Sequence, residues 1–329
     1  MKAVLGNALD AIDRYEMLDV PPPTPGVDDI LVRVGVCGLG YVDGLVALGR
    51  YQVKPSLPHT PGGEIAGTIV DVGRNVTRLR VGDRVVAGLV GGGGLAEYIV
   101  LRADKASRLP DNMSFGQAAG FRQNFLTALH GLEDRGALRP RQRLLIFGAA
   151  GGVGSAAVQL GKLLGAEVIA AASTSEKRDF ARDLGADHVI DTAPDGWRER
   201  LREICGGEGP DVIFDPVSGP LFEPAFRSLG WGGRHLVVGF VGGPIPSLPI
   251  HLSLLKGAAL VGVDVRQFMF REPEAAARHV STLLQWVADG RLTPSPPTSF
   301  AFADFRLALE HILANTGQGR TIVEILPEN

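Results

Sequence analysis

Leu144-Leu145-Ile146-Phe147-Gly148-Ala149-Ala150-Gly151-Gly152-Val153-Gly154 restricts what this chain can become more than any other segment. An apolar run of strand length leads into a glycine cluster, and helical spacing follows at once over residues 155–164. A strand, a tight glycine turn and a helix in that order let the backbone approach a pyrophosphate, whose charge meets the free amides and positive dipole end of the helix. Gly151 and Gly154 stand at the second and third glycine positions of the dinucleotide pattern, with Ala149 at the first. A glycine cluster by itself only makes a turn, so the flanking strand and helix carry the reading. Ala150, Gly151, Gly152, Val153 and Gly154 are therefore the candidate contacts to a coenzyme diphosphate.

Two more strand-then-helix units follow, residues 167–171 with 176–184 and 188–190 with 196–205, and then apolar strands at 212–214, 235–239 and 259–265. Strands alternating with helices imply right-handed crossovers and a doubly wound parallel sheet. An amphipathic helix with proline in its first turn is expected at residues 273–289. The first 110 residues read differently, as short strands at 30–36, 63–72, 84–88 and 96–100 between glycine turns, with an extended stretch around Pro21, Pro22, Pro23 and Pro25. Helical spacing begins only at residues 114–130. Residues 291–329 return to a short strand, a helix at 302–314 and a strand at 321–326, a tail expected to rejoin the first domain. The expected division is a mostly β domain of residues 1–118 and 290–329 and a Rossmann-type domain of residues 119–289. Ligands of open α/β sheets bind beyond the carboxyl ends of the strands, so the active site is expected in the cleft between the domains.

Bulk properties narrow the function classes. A length of 329 residues favours two domains, and 45% hydrophobic with 21% charged residues is globular composition. The net charge of −3 and the absence of a basic run argue against nucleic acid or an anionic membrane as partner. Cys37 and Cys205 are the only cysteines and lie far apart, which excludes a disulfide framework and a tetrathiolate zinc site and points to a reducing, cytoplasmic setting. No window reaches 18 apolar residues, so neither a signal peptide nor a membrane span is expected. The histidines are scattered without an HExxH pair and no GxSxG turn occurs, leaving hydrolase chemistry without support.

The residue at the end of the second strand selects the dinucleotide. An NAD site places Asp or Glu there, about 20 residues past the loop, to hold the ribose hydroxyls. This chain has Ala172, followed by Ser173, Thr174, Lys177 and Arg178. A missing acid removes repulsion against a 2′-phosphate, and a hydroxyl with two cations can bind it. Lys177 and Arg178 also suit an ordinary solvated helix face, so the preference for NADPH rests more on the missing carboxylate than on the cations.

Four ordered motifs resemble the medium-chain dehydrogenase/reductase superfamily: residues 57–70 (LPHTPGGEIAGTIV), 81–85 (VGDRV), the loop to Gly154, and 184–187 (LGAD). The match spans nearly the whole chain. Within the superfamily, residues 244–249 (PIPSLP) and 254–256 (LLK) are similar to the zinc-independent quinone oxidoreductase branch, the zeta-crystallin-like proteins. The resemblance implies a GroES-like catalytic domain beside the Rossmann domain and, through the edge-strand segment 259–263, a homodimer. Relatives that bind catalytic zinc carry Cys and His where this chain has Gly40 and Gly63, and neither glycine can be a ligand, so no metal is expected. Hydrogen-bond donors must then polarise the substrate. The resemblance implies that Tyr51 donates a proton, that Thr127 approaches the nicotinamide, that Gly239, Phe240 and Val241 hold the carboxamide, and that Val217 lies beneath the ribose. Tyr51 and Thr127 also admit purely local roles, as a packed ring and a helix threonine bonded to its own backbone. Tyr41 stands where many relatives carry Asn, which bears on quinone specificity. The expected activity is NADPH-dependent reduction of a small-molecule quinone or α,β-unsaturated carbonyl. An enoyl-thioester reductase is the second reading, with Arg50, Lys54 and Arg122 as loose candidates for a basic mouth, and an NADPH-binding protein with little catalysis is the third.

Overall fold

The computed structural model describes residues 1–327. The chain forms two compact units, one made of Met1–Gln123 together with the residues from Leu284 on, the other of Asn124–Leu283.

In the second unit six parallel strands lie side by side: Arg143–Phe147, Glu167–Ala171, His188–Ile190, Val212–Asp215, Arg234–Val237 and Ala259–Gly262. Numbered along the chain, they sit in the order 3-2-1-4-5-6. The order reverses between the first and fourth strands, the switch point at which doubly wound sheets bind ligands. Leu144, Leu145, Ile146 and Phe147 are all buried, because the sheet is covered on both faces. On one face Phe147 stacks on Trp197 at 5.6 Å. On the other, a Cβ on Gly161 would meet Leu144 Cδ2 at 2.8 Å, so glycine lets the helix Gly152–Leu163 lie close against the sheet.

The first unit is built on a seven-stranded sheet. Its long strand, Asp29–Leu39, pairs with Glu64–Val72, Tyr98–Arg102 and Thr321–Glu324, all antiparallel. Register shifts at Leu31/Val32 and Val34/Val36 bend the strand, which is how bulges let one strand serve several neighbours. The pairing with Thr321–Glu324 brings the C-terminal segment back into this unit, where Phe305, Leu309 and Ile312 share a core with Val4, Tyr15, Ile30 and Ile65.

Several elements depart from the sequence reading. The spacing predicts one helix over residues 114–130, but Gly120 adopts φ +73° and splits it into Phe115–Ala118 and Phe121–Leu129, with a π-helical extension His130–Arg135. The strand expected at 259–265 ends at Gly262, because the Asp264 carboxylate accepts from Gln267 N at 3.0 Å and starts the helix Val265–Arg271. The helix Tyr41–Ala47 falls in a stretch read as part of a mostly β domain, and it forms because the Asp43 side chain reaches back to Gly40 N at 2.8 Å. No helix among the described residues is long and apolar enough to cross a membrane.

Candidate coenzyme and substrate site

The first strand ends at Phe147, and Gly148 turns the chain at φ +57°. Gly151 then stands at the N-cap of the helix Gly152–Leu163 with no side chain capping it. The first amides of a helix have no intrahelical acceptor, so those of Gly152, Val153 and Gly154 are left for an outside anion. The turn is tight. A Cβ on Gly154 would meet Gly148 O at 2.0 Å, whereas one on Gly151 would meet the same oxygen at 3.3 Å. Ala149 and Ala150, between Gly148 and Gly151, are both buried. These residues fit a dinucleotide diphosphate: bare backbone, free donors and the positive end of a twelve-residue helix.

Ala172, at the end of the second strand, is buried and carries no acid. Arg178 Nη1 donates to the carbonyls of Ala172 and Ser173 at 3.1 and 3.3 Å, so a guanidinium sits over the strand end where an NAD site would hold a carboxylate. Thr174 caps the next helix by accepting from Lys177 N at 3.3 Å. Lys177 is half-buried and Ser173 exposed. One acid shares this turn: Glu176 is fully exposed, accepts from the Ser175 hydroxyl at 3.2 Å, and is held below the usual carboxylate range chiefly by its own backbone amide.

The turn after the fourth strand meets the glycine turn, and the turn after the fifth strand is bonded to the turn after the fourth. A Cβ on Gly148 would touch Val217 Cγ2 at 2.9 Å, and Gly242 N donates to Val217 O at 2.8 Å. Val217, Gly239 and Val241 are half-buried and Phe240 is exposed. The sequence reading overlooks Asp215, whose Oδ1 accepts from Val217 N at 2.9 Å and Ser218 N at 2.6 Å and so shapes the turn. Asp followed by Pro is a turn-initiating pair, and that signal was available.

In the first unit, Tyr41 opens the helix Tyr41–Ala47 and Tyr51 lies just past its end, both half-buried. Neither hydroxyl is bonded to another group among the described residues. Asp43 takes amides from Gly40, Gly62 and Gly63, and burial nonetheless pushes its carboxyl up to about 6. A Cβ on Gly63 would meet Asp43 Oδ1 at 3.1 Å, so the space of one zinc-ligand position is crowded by this carboxylate. Glu64 accepts from Arg122 N at 2.8 Å and Gln123 N at 2.7 Å, capping the helix Phe121–Leu129, and burial pushes it up to about 7. His59 is held by Gly91 O at 3.1 Å and the Tyr15 hydroxyl at 2.9 Å. A carbonyl only accepts, so Nε2 carries the hydrogen; burial lowers the ring's pKa and favours its neutral form, in which Nδ1 accepts from Tyr15, so both ring nitrogens are engaged. Cys37 is buried in its strand and burial raises its thiol further. With glycine at positions 40 and 63, and no cluster of three His, Cys, Asp or Glu suited to a metal among the described residues, the donors do not fit a zinc ion. Thr127 belongs to the second unit and is buried.

The alcohol dehydrogenase GroES-like domain family matches residues 26–111 and the zinc-binding dehydrogenase family matches residues 152–283. The chain is 34% identical over 321 residues to the quinone oxidoreductase-like protein 2 homolog of Nematostella vectensis, covering 97% of this chain and 86% of that protein. It superposes on the Escherichia coli quinone oxidoreductase complexed with NADPH with a TM-score of 0.89 and 26% identity, covering 99% and 100% of the two chains. It also superposes on the CurK enoyl reductase with a TM-score of 0.88 and 26% identity, covering 98% of each.

Proposed function

The chain belongs to the medium-chain dehydrogenase/reductase superfamily, in its quinone oxidoreductase branch, and from that premise we propose that it is an NADPH-dependent, metal-free reductase of quinones or α,β-unsaturated carbonyls. The observation that carries the proposal is the uncapped helix start behind Gly151, at the switch point of a 3-2-1-4-5-6 sheet. When bound there, NADPH supplies a hydride to an electron-poor carbon. The chain's own part is to hold the diphosphate on the amides of residues 152–154 and to offer donors to the substrate oxygen. Tyr51 and Tyr41 are the proposed donors, since neither hydroxyl is engaged among the described residues. Ser173, Lys177 and Arg178 are the proposed 2′-phosphate contacts. The similarity to the CurK enoyl reductase supports a second reading, reduction of an enoyl thioester. Against it, only Arg50 and Lys54 of the three cations are exposed, while Arg122 is half-buried beside Glu64.

Stopped-flow loss of NADPH absorbance against quinones, enones and enoyl thioesters decides among these readings. We expect turnover on quinones or enones that survives a strong chelator, and less than stoichiometric zinc by elemental analysis. Faster turnover on thioesters would select the second reading, and tight NADPH binding without turnover on any substrate would mean a binding protein.

We also propose a homodimer. Ala259–Gly262 is the last strand of its sheet, and Ala259, Leu260 and Gly262 are exposed along it. Leu254 and Leu255 on the preceding helix, and Trp231 beside Gly257, are exposed as well, an apolar surface of the kind that marks an interface. Light scattering at micromolar concentration should give twice the chain mass, and Leu260→Arg should return it to the monomer value. A wild-type monomer would end this proposal.

A further inference from the structure

We propose that the buried pair Asp215–His235 is a positioning device for the nicotinamide half of the coenzyme site, an inference that rests on the coenzyme reading above. Both side chains are almost fully excluded from solvent, and His235 Nε2 lies 2.9 Å from Asp215 Oδ2. A carboxylate only accepts, so Nε2 carries the hydrogen and donates it. The other oxygen, Oδ1, holds the amides of Val217 and Ser218. Ser218 is thereby kept at φ +59°, a backbone region that non-glycine residues rarely occupy, and its hydroxyl donates to Gly239 O at 3.0 Å. The amides of Val238 and Gly239 in turn donate to the Asp215 carbonyl at 2.9 and 3.3 Å. One aspartate thus locks the turn after the fourth strand to the turn after the fifth.

These two turns belong to the second mononucleotide half of the sheet. The diphosphate loop follows the first strand and Ala172 ends the second, so the adenosine half lies over the first half and the nicotinamide end falls to Val217 and residues 239–241. The histidine itself shows that the pair does more than fill space. Its ring lies 4.6 Å from Phe222 and 6.2 Å from Phe226, a setting that would suit a third phenyl ring. Instead Nδ1 is buried with no partner among the described residues, a cost that a hydrocarbon ring would avoid. What the histidine contributes in return is the Nε2 hydrogen on Asp215.

The test compares two probes by calorimetry: NADPH, and the same molecule lacking the nicotinamide ring, 2′-phospho-ADP-ribose. His235→Phe keeps the aromatic packing and strands one carboxylate oxygen without a donor. It should weaken NADPH about tenfold while leaving the truncated probe unchanged, and His235→Gln, which can still donate, should recover most of the loss. Ser218→Ala removes the hydroxyl bond to Gly239 without touching the carboxylate. It should show the same selectivity at smaller size, and it decides the matter if His235→Phe does not fold. Equal loss for both probes would mean a purely structural role, and no loss for either would mean no role; both overturn the proposal. A wild-type protein that binds neither probe would overturn the coenzyme reading itself, an outcome distinct from the other two.

Discussion

Gly154→Ala should bind NADPH on the order of 100-fold more weakly than the wild type and unfold more readily. The added methyl would lie 2.0 Å from Gly148 O and 2.7 Å from Gly148 C, both backbone atoms that cannot turn aside. Either the helix start or the turn must move, an overpacking that costs about 1–3 kcal/mol of stability. Moving it also misaligns the amides proposed to hold the diphosphate, and losing two hydrogen bonds to a charged group, at about 1.5 kcal/mol or more each, corresponds to roughly two orders of magnitude in affinity. Gly151→Ala provides the contrast. Its methyl would stand 3.3 Å from the same oxygen, and Gly151 has an ordinary φ of −80°, so the fold should tolerate it while the close approach of a phosphate is hindered. Thermal unfolding and calorimetry on the two variants should therefore separate: both properties fall in the first, mainly binding in the second. A Gly154→Ala protein that binds as tightly as the wild type would mean that this turn does not clasp the coenzyme.

Lys177→Glu should weaken NADPH by about 10- to 100-fold and leave NADH nearly unchanged. The side chain lies in the first turn after the second strand, within the segment that replaces the ribose-binding acid, and the substitution would place a second carboxylate beside Glu176. Two carboxylates repel a 2′-phosphate, whereas a plain ribose hydroxyl carries no charge to be repelled and can donate to a carboxylate. Equal losses for the two coenzymes would sink the 2′-phosphate assignment. The gap between them should narrow as salt is added, since exposed charges are screened.

The legible parts of this protein are those whose physical cause is local. The strands Arg143–Phe147, Glu167–Ala171 and His188–Ile190 stand at the residues their apolar runs mark, because a parallel strand covered on both faces needs an unbroken apolar segment. The glycine turn, the missing acid at Ala172 and the glycines at 40 and 63 are equally plain, since each depends on which side chain is absent. The break at Gly120 and the helix that starts at Asp264 were harder to read, although both signals are local, because helical or strand periodicity on either side outweighs a single residue.

Other features could not be read from neighbours in the chain. The pairing of His130 with Asp134, four residues on at 2.7 Å, is local, but nothing near either residue announces that His279 will come to the same carboxylate at 2.8 Å. Likewise nothing near His235 announces that it will face Asp215. Both arrangements follow from which elements end up adjacent. Most strands and helices, the glycine turn around residues 148–154 and the side chains missing at 40, 63 and 172 can be read along the chain, because backbone preference and side-chain chemistry are carried residue by residue. Which buried polar groups meet is set instead by strand order and register, which bring together residues that the chain keeps far apart.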